Sequence, residues 1–390
     1  MQNVLKSLPA RLVIALALGL GAGLVAGPKA MQVIITVQSI LYQMIMFTVP
    51  LIIIGFIAPS ITRLGSAASR MLGLALLLAY LSSVCAALFA SAAGFGIIPF
   101  LNISPPEGAE RALPKLIFDL KIPQVMPVMS ALVLSILIGL AAIWNKSRTV
   151  ITLLEEFQHI VLSIVTAVII PLLPFFIGCT FASLGYEGTI TRELPVFLIV
   201  VLIVMAGHYI WLALLYLIAG IYSGQNPLHV LKHYGPAYLT AVGTMSSAAT
   251  LPVALRCARK SGILREDITA FGVPLFANIH LCGSVLTETF FVMIVSKILY
   301  GALPEPGTLI LFCLLLGIFA IGAPGVPGGT VFASLGLISS VLGFDSAGTA
   351  LILTIFALQD SFGTACNVTG DGALTLILSS YADKHKLGRQ

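Results

Sequence analysis

The sequence predicts an all-α polytopic membrane protein, and three observations carry that expectation. Of its 390 residues 58% are hydrophobic and only 9% charged, where a soluble globular domain carries ~25% charged residues. Apolar runs recur from Leu12 to Leu378, and at ~1.5 Å per residue a run of about 20 crosses a ~30 Å hydrocarbon core. The runs are long and unbroken, whereas a transmembrane barrel would show ~10-residue alternating segments between turns. Roughly six to eight complete spans of that length fit the chain.

The net charge of +5 is no nucleic-acid footprint, because no soluble basic segment carries it; membrane topology accounts for it. With both termini in the cytoplasm, 14 of the 20 Lys and Arg fall inside, among them Lys6, Arg11, Arg63, Arg70, Arg256 and Arg389. Lys29, Arg111, Lys115, Lys121, Arg192 and Lys297 are the 6 outside. That split fits the positive-inside rule for a multi-pass protein of the plasma (inner) membrane. The basic residues before the first apolar run read as the start of a span, since no small-residue cleavage site with a soluble domain follows. Six cysteines lie in or beside apolar runs without CxxC or zinc-like spacing, so buried free thiols are expected.

Taken in order, residues 12–27 and 33–60 are the first two spans, joined at Gly27-Pro28 and ended by Arg63. The third, about 68–95, contains Tyr80, Ser82 and Ser83, and a Pro/Glu-bearing outer segment follows. Residues 125–144, 150–185 and 194–222 are the fourth to sixth. Glu155 and Glu156 read as acids at a helix start, where they suit the dipole, and His208 as a hydrogen-bonded core residue. After residue 225 the pattern changes. Tyr238–Val253 is broken at its centre by MSSAATLP, and 309–342 by IGAPGVPGGT. Two such interrupted hydrophobic segments point to the binding site of a secondary transporter, because exposed helix N-termini can meet a carboxylate and unwound carbonyls a cation. Kinked ordinary spans are the plainer alternative. Between them 268–300 is the seventh span, with Asn278, His280, Cys282 and Glu288. Polar residues two apart do not share a helical face, so a break near Gly283 is expected. A metal at His280 and Cys282 lacks further ligands.

The final run, 351–378, holds QDSFGTACNVTGD. At ~100° per residue Asp360, Thr364, Asn367 and Asp371 project within a stripe roughly 40–60° wide, with Gly363 at its edge. A carboxylate at membrane depth costs at least ~2.5–3.5 kcal/mol on insertion scales, so two in one helix face protein, water or ions. Polar residues that merely satisfy one another are the bland alternative. Glu288 is a third intramembrane acid with no cationic neighbour on its helix; desolvation favours the neutral form of such a group, which makes it the proton-coupling candidate.

MSSAATLPV, GVPGG and DSFGTACNVTGD, in this order, resemble the dicarboxylate/amino acid:cation symporters, the family of glutamate transporters and archaeal aspartate transporters. The resemblance covers nearly the whole chain. It implies eight transmembrane helices plus two re-entrant helical hairpins working as an elevator, in a homotrimer within the lipid bilayer. Scaffold parts would be 1–66 and 123–192, moving parts 67–122 and 193–390. Ser246 and Ser247 would meet a substrate carboxylate, with Val326 and Gly328–Thr330 closing over it. Asp360 would bind the amino group, and Gly363, Thr364 and Asn367 would complete the shell. Sodium would sit at Asp371 with Phe276, His280 and Asn367, and a second ion on the backbone of Ala320, Ile321 and Ala323.

Two departures from the family pattern matter. His280-Leu281-Cys282-Gly283 stands where the family usually reads Asn-Met-Asp-Gly, so a carboxylate of one sodium site is gone and fewer Na⁺ sites are expected. Neutral Cys or His supplies no oxygen ligand to that hard cation. Gly363 stands where acidic-substrate members have arginine, and Met245 where some relatives do. A second substrate carboxylate would be desolvated without a partner, so a neutral amino acid is expected; an acidic or dicarboxylate substrate is the alternative. An intramembrane enzyme built on His280, Cys282 and Asp371 gives no reason for two tip-like breaks, and a channel-like anion conductance remains the rival of another class.

Overall fold

A computed structural model of the chain describes residues 8–66, 70–101, 103 and 111–387. Lys6 and Arg389 of the topology argument lie outside these residues, as do the side chains of Arg63 and Arg192. The protein is all-helical, with no strand among the described residues. In order the helices are α1 (Leu8–Val25), α2 (Pro28–Ser66), α3 (Arg70–Ile97), α4 (Val128–Trp144), α5 (Arg148–Glu187) and α6 (Thr189–Ser223). A single turn at Leu228–Leu231 leads to α7 (Gly235–Thr244), α8 (Ser247–Lys260), α9 (Glu266–Ile279), α10 (Cys282–Tyr300), α11 (Pro306–Gly322), α12 (Gly329–Leu342) and α13 (Ser346–Lys384). Six helical stretches among the described residues are long and apolar enough to span a membrane, counting α9 with α10 as one. The shorter α1 and α4, with 18 and 17 residues, reach the lower end of the ~17–25 residues a span needs.

Local chemistry explains the boundaries. Pro28 opens α2, where its missing N–H is an orphan in any case. In α5 one π-helical turn, Val165–Ile169, precedes Pro171, whose ring would clash with the carbonyl four residues back in a regular helix. Glu155 and Glu156 are the eighth and ninth residues of α5, because the helix already starts at Arg148; they are not first-turn acids, and the dipole reading is corrected. The break in the seventh span falls at His280 and Leu281, slightly before Gly283, and both residues have left helical geometry. All six cysteines are free, but Cys85 is exposed and Cys179 half-buried, because their faces of α3 and α5 look away from the core.

Helix α1 packs on α5 so closely that a Cβ on Gly19 would lie 2.1 Å from the Gly178 carbonyl oxygen. Such small-residue contacts let backbones meet where no water drives association. Helix α2 packs on α4 and α5, while α10 and α13 pack on each other and on α3, α6 and α9. The hairpin arms α11 and α12 touch both sets. The most apolar window of α9–α10 is 100% buried and that of α13 89%, against 33% for α5. Glu288 of α10 and Asp360 and Asp371 of α13 are therefore shielded from lipid, as their insertion cost requires.

Candidate functional site

The two interrupted segments meet at their tips. Helix α7 stops at Met245, which takes a left-handed conformation at φ 52°. Ser246 then caps α8, its Oγ accepting from Ala249 N at 3.2 Å, which satisfies one orphan donor of the first turn. The same hydroxyl donates to the Gly325 carbonyl of the second tip at 2.7 Å. That tip turns through Gly328 at φ 72°, where a side chain would be strained. A Cβ on Gly329 would lie 2.0 Å from the Pro324 carbonyl oxygen, so the GG pair is what this turn demands.

Asp360 completes the junction. Gly328 N donates to Asp360 Oδ2 at 2.7 Å, and Thr364 Oγ1 lies 3.4 Å from Oδ1. Ser247 and Thr330 are buried on the same tips. Gly363 faces the first turn of α10, where its Cβ would meet Ser284 Cα at 3.4 Å.

Asn367 supplies that first turn with a cap from another helix. Its Oδ1 accepts from Gly283 N at 2.7 Å and Ser284 N at 3.2 Å, and its Nδ2 donates to Ser284 Oγ at 2.9 Å. Orphan N–H groups of a buried helix start need such acceptors, which is why α10 can begin in mid-membrane. His208, as expected, is a hydrogen-bonded core residue: its Nε2 is 2.8 Å from Thr287 Oγ1 and 3.1 Å from the Gly283 carbonyl.

One turn further along α13, His280 bridges three helical segments. Its Nδ1 lies 2.9 Å from Asp371 Oδ1 and its Nε2 2.9 Å from Ser82 Oγ on α3. An ionised carboxylate only accepts, so Nδ1 is the donor to it. Asp371 Oδ2 is buried with no hydrogen-bond partner, and so is Ser83 Oγ. An orphaned buried acceptor costs ~1–3 kcal/mol, and more for a charged group; a hard monovalent cation is the chemistry that suits it. Phe276 and His280 lie at the end of α9 beside the break, and Asn367 one turn before Asp371 on α13. At the end of α11 the last-turn carbonyls around Ala320, Ile321 and Ala323 carry the negative end of the dipole, which also suits a cation.

Glu288 is fully buried; Ser334 Oγ on α12 donates to its Oε1, while Oε2 has no partner. Several participants escape sequence reasoning. Ser284 and Ser334 carry no signal beyond neighbouring a motif, and Gly325, though inside GVPGG, gives no sign of its contact with Ser246. Gln359 lies next to Asp360, buried with both amide atoms unpartnered, and its place in the polar stretch was the one available clue. A cavity of about 450 Å³ lies outside the tips, lined by Phe56, Ser60, Leu162, Asn278, Gly325 and Val326. None of Asp360, Thr364, Asn367 and Asp371 lines it. Among the described residues no group of three or more His, Cys, Asp or Glu could hold a metal.

The model of the sodium:dicarboxylate symporter family matches residues 8–381. The chain belongs to that family. Among similar proteins, excitatory amino acid transporter 2 of Mus musculus is 26% identical over 283 residues, 70% of this chain and 48% of the relative. Excitatory amino acid transporter 3 of Bos taurus is 29% identical over 262 residues, 66% and 48% of the two chains; that of Mus musculus is 31% identical over 199, 51% and 37%. The family member described here is matched over about half the length of these relatives.

Proposed function

We propose that this protein is a sodium-coupled symporter of a neutral amino acid, which it holds between the two hairpin tips and α13. The observation that supports this most is the closure at Asp360, whose carboxylate accepts from Gly328 N of the second tip while Ser246 joins the two tips. An ammonium group is a stronger donor to a carboxylate than a neutral N–H, so a bound amino acid would take over Asp360 and the tip would close over it. The helix start at Ser246–Ser247 would receive the substrate's carboxylate, and Val326, Gly328, Thr330, Gly363, Thr364 and Asn367 would line the rest. Gly363 and Met245 supply no cation for a second carboxylate.

In this reading Asp371, with its unpartnered oxygen, holds one sodium, and Ala320, Ile321 and Ala323 a second. His280 takes the contacts of a further ion, so fewer sodium ions move per cycle than in acidic-substrate relatives. Glu288 carries a coupled proton. Residues 1–66 and 123–192 act as scaffold, 67–122 and 193–390 as the moving unit of an elevator in a homotrimer, with eight spans, two hairpins and both termini cytoplasmic in the plasma membrane. Uptake of a panel of labelled amino acids into sealed liposomes, under imposed Na⁺, H⁺ or no gradient, tests this directly. Accumulation of neutral amino acids against their gradient is the expected result; leak without accumulation, or uptake confined to substrates other than amino acids, would overturn it. Acidic amino acids are the second reading, favoured by the names of the excitatory amino acid transporters it resembles, and the same panel separates the two.

A further inference from the structure

A groove of about 540 Å³ runs along the surface between α1 and α5, lined by no residue of the hairpin tips. Gly19 and Gly178, where the two helices nearly touch, form its floor, and the exposed Leu18 and Phe175 its edges. Its lining is apolar except at one end, where Arg11 stands. That arginine is exposed and forms no ion pair among the described residues. From Arg11 to Ala22, the far limit on α1, the helix rises ~16 Å at ~1.5 Å per residue. That is about half of a ~30 Å hydrocarbon core, the depth of one leaflet. A guanidinium at headgroup level above a leaflet-deep apolar slot is complementary to an anionic amphiphile, since arginine grips phosphate with a two-pronged fork.

We propose that this groove binds one anionic phospholipid from the leaflet on the Arg11 side, its phosphate on Arg11 and one acyl chain lying over Gly19 and Gly178. A basic side chain at the membrane surface strengthens anionic-lipid binding by about fivefold. The site is independent of which substrate the hairpin tips hold.

The test uses the full chain in detergent, with dioleoyl phosphatidylglycerol and dioleoyl phosphatidylcholine as probes and native mass spectrometry to count lipids retained per chain. The parent protein is expected to keep phosphatidylglycerol about fivefold more readily. Arg11→Gln should abolish that preference, and Ala22→Phe, which plugs the deep end and keeps the charge, should lower retention of both lipids. Leu18→Trp at the open edge replaces Ala22→Phe if that variant does not fold. An unchanged preference in Arg11→Gln, or undiminished retention in the plugged variant, overturns the proposal. So does a change in the number of chains per particle with lipid retention unaltered, which would make the groove a contact between copies.

Discussion

Asp360 and Asp371 lie three turns apart on one buried helix, yet their surroundings differ in kind. Asp360 is held from outside its helix by one group, a backbone N–H on the second hairpin tip, with the hydroxyl of Thr364 on α13 itself at 3.4 Å. Asp371 is held by His280, which Ser82 anchors from α3, and keeps one oxygen without a partner. A carboxylate whose one partner from another element is a backbone N–H of a loop tip is suited to a ligand that replaces that single contact. One braced by an interhelical bridge, with a single open oxygen, is suited to a small cation in a rigid frame. The same residue type therefore stands in two settings, and the difference lies in whether its partner from another element is a loop-tip N–H or a side chain of the packed core.

The largest effect expected is at Asp371. Asp371→Asn removes the only full negative charge at the proposed ion, while its amide oxygen can still accept from His280. Sodium-driven uptake should be lost; uptake with the parent's half-saturating sodium concentration would refute the assignment. Asp360→Asn should behave differently. The amide oxygen still accepts from Gly328 N, so stability should change little, while loss of a charge-assisted bond to an ammonium, worth ~1.5–3 kcal/mol, lowers substrate affinity roughly 10- to 150-fold. Calorimetric titration giving unchanged affinity would place the amino group elsewhere.

Gly363→Arg sharpens the picture on the substrate side. A Cβ there meets ordinary contact distance at Ser284, and a guanidinium beside Asp360 should shift preference from neutral toward acidic amino acids. A folded variant whose competition profile matches the parent's would mean that the pocket lies elsewhere. The smallest effect is expected at Glu288, whose carboxyl ties α10 to α12 through Ser334. With sodium held constant, uptake by the parent should rise as the outside is acidified, and Glu288→Gln should flatten that dependence. A variant as pH-dependent as the parent removes Glu288 from the coupling.

The apolar runs, the two small-residue interruptions and the polar stripe from Asp360 to Asp371 were legible because each is a local pattern: span length, turn chemistry and helical period are properties of consecutive residues. The sequence alone therefore dictates an all-helical membrane protein with two broken segments and a helix that must hide its acids. It also places His208 in the core and the discontinuity of the seventh span to within a few residues. What it does not contain is the partner of each polar atom. That Asn367 caps α10, that Ser246 reaches Gly325, and that His280 ties Ser82 to Asp371 are contacts between residues 79 to 198 positions apart. They exist because a low-dielectric interior leaves a buried donor or acceptor no water to fall back on, so packing must bring the complementary group to it. Which group arrives is decided by how the helices stack, and only the tertiary structure holds that information.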